Sequence, residues 1–195
     1  MATHPSEPKN DGSPSVWKVF APIFVIVLLV IGGLYAIKAA LPPVNHVSET
    51  TDLNRESQLA ALVLTQLDGK SIKIADLNAK VFLINFWATW CEACIEEMPS
   101  IVQLRESYKD RGFEVLGINV DENPDVVVPK AIKQLNMNFP IFIDPEGKLS
   151  ERFDVHAIPL TVVIRKNGVV LTVLNGGRDW NSAEIRAKLE QWLSG

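Results

Sequence analysis

The sequence predicts an α/β domain, with helices laid over a mixed sheet, preceded by a single membrane-spanning helix near the N-terminus. Three observations predict it. Along residues 59–195, short apolar runs alternate with segments of helical period, the pattern of a layered α/β domain. Residues 19–37 carry no charge, and as a helix such a run spans a bilayer core of about 30 Å. The chain has 195 residues and 47% hydrophobic content, which suits one folded domain with an appendage and excludes global disorder.

Residues 1–16 are polar and rich in Pro, Ser and Asn, and read as a disordered cytoplasmic tail. Residues 17–41 read as a transmembrane anchor. Lys18 and Lys38 bracket the apolar run, and Trp17 and Tyr35 lie near its ends, where amphipathic rings favour the interface. The alternative is a cleaved signal peptide. Against it stand the length of the run, Glu7 and Asp11 in the preceding tail, and the poor cleavage site Lys38-Ala39-Ala40. A buried core helix fits less well, because the run is apolar on every face. Lys9 and Lys18 before the span nearly balance Lys38 and Arg55 after it, so charge alone does not orient it. A short tail inside and a large domain outside is the simpler topology. Pro42-Pro43 stops the helix. Residues 42–58 are polar and read as a linker, leaving 59–195 as the folded domain.

Within that domain, residues 61–64 and 71–74 read as strands around the turn Asp68-Gly69. Residues 81–86 are nearly all apolar, as expected of a strand buried on both faces. A helix is expected over 91–108, a strand over 113–120 and a helix over 124–135 that must accommodate Pro129. A strand over 139–143 closes in the turn 144–147, followed by a short helix over 149–153. Strands over 160–165 and 169–174 flank the turn Lys166-Asn167-Gly168. A final helix over 182–193 places Ile185, Leu189, Trp192 and Leu193 on one face.

Composition narrows the function. With 19 Lys+Arg against 23 Asp+Glu, net charge −4, the chain lacks the basic field of a nucleic-acid groove. Two cysteines cannot staple a disulfide scaffold, and with three histidines they are too few for a multi-site zinc protein.

Those two cysteines carry the chemistry. Phe86-Trp87-Ala88-Thr89-Trp90-Cys91-Glu92-Ala93-Cys94 follows a buried strand and opens a helix. The first turn of a helix has unpaired N–H groups and a partial positive charge, which lower the pKa of a thiol at Cys91. Cys94 lies one turn on, within bonding reach, so the pair can cycle between dithiol and disulfide. Cys91 is then the attacking thiol and Cys94 the buried, resolving one. Half a zinc site would need two further ligands from a chain with no other cysteine, leaving His46 and His156. A purely structural disulfide would close too small a loop to constrain the chain much. Cu(I) binding by the two sulfurs, with His156, is a third alternative.

At these residues the chain resembles the membrane-anchored thioredoxin-like proteins of the TlpA/ResA/CcmG (DsbE) family. The motif continues in Glu97-Met98-Pro99. The second half agrees through Phe139-Pro140-Ile141, Asp144, Phe153, Val155, Ile158-Pro159-Leu160-Thr161, Asn167-Gly168 and Gly176-Gly177. The resemblance implies a thioredoxin-like fold with an N-terminal β-hairpin and a central insert within 121–140. It implies that Pro159 is the cis-proline beside the disulfide, leaving the backbone of Ile158 free to pair with an extended partner. Glu97 matches the family's acidic residue that tunes the resolving thiol and relays protons; as a bare sequence position it could equally be a solvated helix carboxylate. Pro99 matches a kink proline, Trp90 a surface ring that shields the disulfide, and Trp87 a packing residue.

The departures are also informative. Asn85 stands where thioredoxin itself carries a buried aspartate, which shifts proton carrying onto Glu97. Glu92-Ala93 replaces Gly-Pro between the cysteines, and Glu92 opposes thiolate formation at Cys91. That favours a reductant, since strong oxidants hold a very stable thiolate. Ala157 replaces the usual glycine before the cis-proline segment, and Arg165 stands where an acid is common. The cluster Asp121, Glu122 and Asp125 reads as a solvated loop in preference to a docking surface, since a few clustered charges are usually just solvated.

The expected function is thus a thiol:disulfide oxidoreductase, catalytic through Cys91, Cys94, Glu97 and Pro159, with Trp90 and Ile158 contacting substrate. No cofactor beyond the Cys91–Cys94 disulfide and no metal are expected. The partners implied are protein dithiols and disulfides, apocytochrome c among them, and a membrane electron donor of the DsbD/CcdA type. The place implied is the bacterial inner membrane, with the domain facing the periplasm. The alternative is a copper-site assembly factor that handles Cu(I) or reduces the copper-ligand thiols of an oxidase.

Overall fold

The computed structural model describes residues 58–195. The expected tail, the anchor and all of the linker but its last residue lie outside the described residues. Among the described residues no helix is long and apolar enough to cross a membrane.

In chain order the elements are β1 (Val63–Thr65), β2 (Ser71–Lys73), β3 (Val81–Trp87), α1 (Glu92–Tyr108), β4 (Phe113–Asn119), α2 (Pro124–Gln134), β5 (Ile141–Ile143), α3 (Lys148–Arg152), β6 (Leu160–Arg165), β7 (Val170–Asn175) and α4 (Ala183–Ser194). Strands β3 to β7 form one sheet in the order β5-β4-β3-β6-β7. Its β3–β4 and β4–β5 pairs are parallel, and β3–β6 and β6–β7 antiparallel, so the sheet is mixed as expected.

β3 runs through the centre, and every residue of it is buried. Side chains alternate along a strand, so the two faces of β3 serve different neighbours. Val81, Leu83 and Trp87 join Met98, Ile101 and Leu104 of α1, Val128 and Ala131 of α2, and Ile185 and Leu189 of α4 in one core. Phe82, Ile84 and Phe86 join Leu64, Ile74, Phe142 and Leu149 in a second core beneath the hairpin and α3. Fully burying each such aliphatic or aromatic side chain contributes about 1.5–3 kcal/mol. Asn85 has the parity of the first set, so the strand's one polar side chain points toward α1.

The hairpin pairs antiparallel, Leu64 opposite Ile72, and begins two residues later than expected. Leu62 is held out of β1 by a turn in which its N–H donates to the Leu59 carbonyl at 3.2 Å. Gln66 then bridges to Phe142, placing the hairpin against the β5 edge of the sheet. Between β4 and β6 the chain runs through α2, β5 and α3, of which α2 alone falls within residues 121–140, the region expected to hold the central insert. Pro129 is accepted inside α2 because it lies on the exposed side, where its missing N–H costs least. Asp144 caps α3, its carboxylate accepting from the N–H groups of Leu149 at 2.9 Å and Ser150 at 2.7 Å.

Candidate active site

β3 delivers the chain to the start of α1 through Ala88, Thr89 and Trp90. Asp121, expected in a solvated loop, is instead 5% exposed and fastens this connection. Its carboxylate accepts from the Thr89 N–H at 2.9 Å, the Thr89 hydroxyl at 2.9 Å and Asn119 Nδ2 at 2.7 Å. The correction has a simple cause: β4 ends at Asn119, beside the end of β3, and three donors there need an acceptor. Glu122 and Asp125 are exposed.

Cys91 is the N-cap of α1, and its Sγ accepts from the Cys94 N–H at 3.2 Å. The two cysteines form a disulfide, with S–S 2.06 Å and Cα–Cα 5.2 Å. Cys91 keeps 8% exposure and Cys94 none. Of the two sulfur-bearing residues, the one at the positive end of the helix is thus also the one that reaches solvent. Trp90, just before it, is 70% exposed. Glu92 and Ala93 are exposed as well.

Residues three apart on a helix are neighbours, so the buried stripe of α1 runs from Cys94 to Glu97 and on to Met98, Ile101 and Leu104. Glu97 is a carboxylate in a core, 3% exposed. Its Oε1 accepts from Asn85 Nδ2 at 2.8 Å. Its Oε2 accepts from the Trp180 indole N–H at 2.9 Å and from the Arg178 backbone N–H at 3.3 Å. Burial pushes the Glu97 pKa up, and these bonds, with the Arg178 charge, only partly offset it. The neutral form is therefore favoured by folding. The stability this contributes is full below the ordinary glutamate range and is lost as pH rises through the folded value. Glu97→Gln removes that dependence. In urea unfolding of the oxidised protein, the variant should gain stability over the wild type as pH rises from acid to neutral.

The register of β3 and β6 sets Asn85 opposite Thr161, and Asn85 Nδ2 also donates to Thr161 Oγ1 at 3.0 Å. The Ile158–Pro159 peptide bond is cis. Pro159 is buried, and its carbonyl accepts from the Gly176 N–H at 2.9 Å. Ile158 is half-buried and packs against both cores. Beyond Gly176 the chain crosses the first turn of α1. A Cβ on Gly177 would sit 3.0 Å from the Ala93 carbonyl oxygen, so a side chain there would push the loop off α1 by a few tenths of an ångström. The Trp180 N–H donates to Ser100 Oγ at 2.9 Å, fixing the same loop further along α1. A groove of about 500 Å³ lined by Glu96, Glu97, Pro99, Ser100, Gly177 and Arg178 connects the buried carboxylate to solvent.

The structure thus brings Cys91, Cys94 and Glu97 together on α1. Trp180 and the hydrogen-bonding role of Thr161 were not read from the sequence. The only signal for the latter was a polar residue, Asn85, inside an apolar strand. His156 is 85% exposed in side chain and pairs with Asp154 at 3.1 Å. Among the described residues no three His, Cys, Asp or Glu side chains group as a metal site, and His46 lies outside them.

The sequence profile of the AhpC/TSA family matches residues 56–173. The chain is 31% identical to thiol-disulfide oxidoreductase ResA of Bacillus cereus over 87% of its own length and 92% of the relative's. It is 35% identical to ResA of Geobacillus thermodenitrificans, over 78% of this chain and 84% of that one. Among solved structures it is similar to a Chlorobium tepidum protein assigned as thiol:disulfide interchange protein DsbE. That match has a TM-score of 0.61 at 27% identity and covers 68% of this chain and 92% of the other. With a disulfide at the start of α1 and a mixed thioredoxin-like sheet behind it, the chain belongs to the AhpC/TSA family, as a thiol–disulfide oxidoreductase of the ResA and DsbE type.

Proposed function

We propose that the protein is a reductant of extracytoplasmic protein disulfides, apocytochrome c among them, tethered to the bacterial inner membrane by residues 17–41 and re-reduced by a membrane donor of the DsbD/CcdA type. The observation that carries this reading is the placement of Cys91 at a helix N-cap, with the buried Glu97 one turn beyond Cys94. Cys91 thiolate attacks one sulfur of the substrate disulfide, forming a mixed disulfide and releasing the other sulfur as a thiolate. Cys94 then loses its proton to Glu97 and attacks Cys91 Sγ. The Cys91–Cys94 disulfide forms, and the second substrate sulfur leaves as a thiolate that solvent protonates. Two electrons pass from the protein dithiol to the substrate.

Other features support the reading. Neither the N–H nor the C=O of Ile158 has a hydrogen-bond partner among the described residues, so both are available to an extended substrate segment, with the Trp90 ring on the surface beside Cys91. An oxidising exterior needs a localised reductant, and a tether raises its effective concentration near membrane-bound partners.

The decisive experiment is the reduction potential of the full-length protein, equilibrated against glutathione or dithiothreitol. The expected value is near or below that of thioredoxin, about −270 mV. A value near that of DsbA, about −120 mV, would make the protein a disulfide donor instead.

A further inference from the structure

Asn85 is buried with only half of its side chain satisfied. Nδ2 donates to both Glu97 Oε1 and Thr161 Oγ1, while Oδ1 has no partner. The valences of the group explain why. An ionised Glu97 can only accept, so the amide must turn its NH2 toward the carboxylate.

The two Glu97 oxygens are not equivalent. Oε2 is engaged by two groups that can only donate, the Trp180 indole N–H and the Arg178 backbone N–H. A proton on Oε2 would face both. A proton taken up by Glu97 therefore belongs on Oε1, whose hydrogen-bond partner is Asn85 Nδ2, itself a donor. Two donors cannot share one hydrogen bond. Rotating the Asn85 amide by a half-turn resolves the conflict. Oδ1 then occupies the place of Nδ2 and accepts from the Glu97 acid. The Thr161 hydroxyl, which accepts in one state, donates to Oδ1 in the other, since a hydroxyl can do both. Each orientation leaves one face of the amide unpartnered, so neither is trapped by a bond the other lacks.

We propose that Asn85 and Thr161 form an amide-flip switch: Asn85 presents Nδ2 to the ionised Glu97 and Oδ1 to the protonated one. This rests on the reading of Glu97 as the carrier of the Cys94 proton. The proton goes from the Cys94 thiol to Glu97 Oε1, and leaves for water along the groove when the carboxylate reionises. Asn85 is a positioning residue, making both states of the carrier acceptable in the core. Burial, which raises the Glu97 pKa, keeps the protonated state within reach. The charged neighbours are few. The loop after β7 brings Arg178, and Glu96 and Asp179 line the same groove. β3 and β6 present only the neutral Asn85 and Thr161, and α1 itself contributes Cys94.

The test is an NMR pH titration of the oxidised full-length protein in detergent micelles, labelled with 13C and 15N. It follows the Glu97 Cδ signal and the Asn85 side-chain NH2. The switch requires the NH2 signals to move with the same midpoint as Glu97. It also requires NH2 contacts to Thr161 to be lost on the acid side. If Glu97 titrates while those contacts persist unchanged, the switch is overturned and the carrier reading survives. If Glu97 stays ionised throughout, the carrier reading fails, and the switch with it.

Discussion

Replacing Cys91 with serine is expected to abolish disulfide exchange, a loss of more than about a thousandfold, because the thiol that remains, Cys94, is fully buried and out of reach of a substrate disulfide. Cys94→Ser should fail differently. Cys91 remains at the helix N-terminus and still attacks, but nothing resolves the product. A mixed disulfide between Cys91 and the substrate should accumulate, visible on a non-reducing gel and discharged by dithiothreitol. Exchange is checked by the rate of reduction of a disulfide-containing peptide. Equal turnover by the Cys91→Ser variant would overturn Cys91 as the attacking thiol.

The second large effect is on stability and lies away from the sulfurs. Asp121→Ala deletes the acceptor for the Thr89 N–H, the Thr89 hydroxyl and Asn119 Nδ2. Leaving a buried donor unsatisfied costs about 1–3 kcal/mol each. Water entering the vacated space recovers part of it, so the net loss should be about 3 kcal/mol, or a fall in Tm of about 10 °C. Differential scanning calorimetry of the oxidised protein measures it. Exchange assayed well below Tm should fall only a few-fold, because the sulfurs remain while the loop that presents Trp90 and Cys91 loosens. An unchanged Tm would mean that Asp121 exchanges its partners for water without cost.

Much of this was legible in the chain. β3 announced itself because a strand buried on both faces has no polar side to disguise it, apart from Asn85. The start of α1 was legible to within one residue, because the motif follows a buried strand and opens a helix, whereas Glu97 was singled out by resemblance alone, and its burial could not be told from a solvated helix position. What could not be read depends on contacts between distant segments. Trp180 meets Glu97 only because the loop after β7 crosses α1, and Thr161 meets Asn85 only through the β3–β6 register. Asp121 looked like one of three loop acids, since nothing local distinguishes it from Glu122 and Asp125. Its burial follows from where β4 ends. The first strand shifted by two residues because a turn at Leu59–Leu62 competes with pairing there.

The short span between the linked cysteines has a thermodynamic consequence. A bridge across a sequence separation of 3 removes little entropy from the unfolded chain, so the fold does not depend on it. Oxidised and reduced proteins should both fold, and four states then close a cycle: folded and unfolded, each with and without the bridge. Around that cycle, the gap between the two unfolding free energies equals the gap between the potentials of the folded and unfolded pair. Each 30 mV corresponds to about 1.4 kcal/mol. Two melting curves, one per redox form, thus report how far the fold itself sets the potential: a reductant should melt higher when bridged, an oxidant when open.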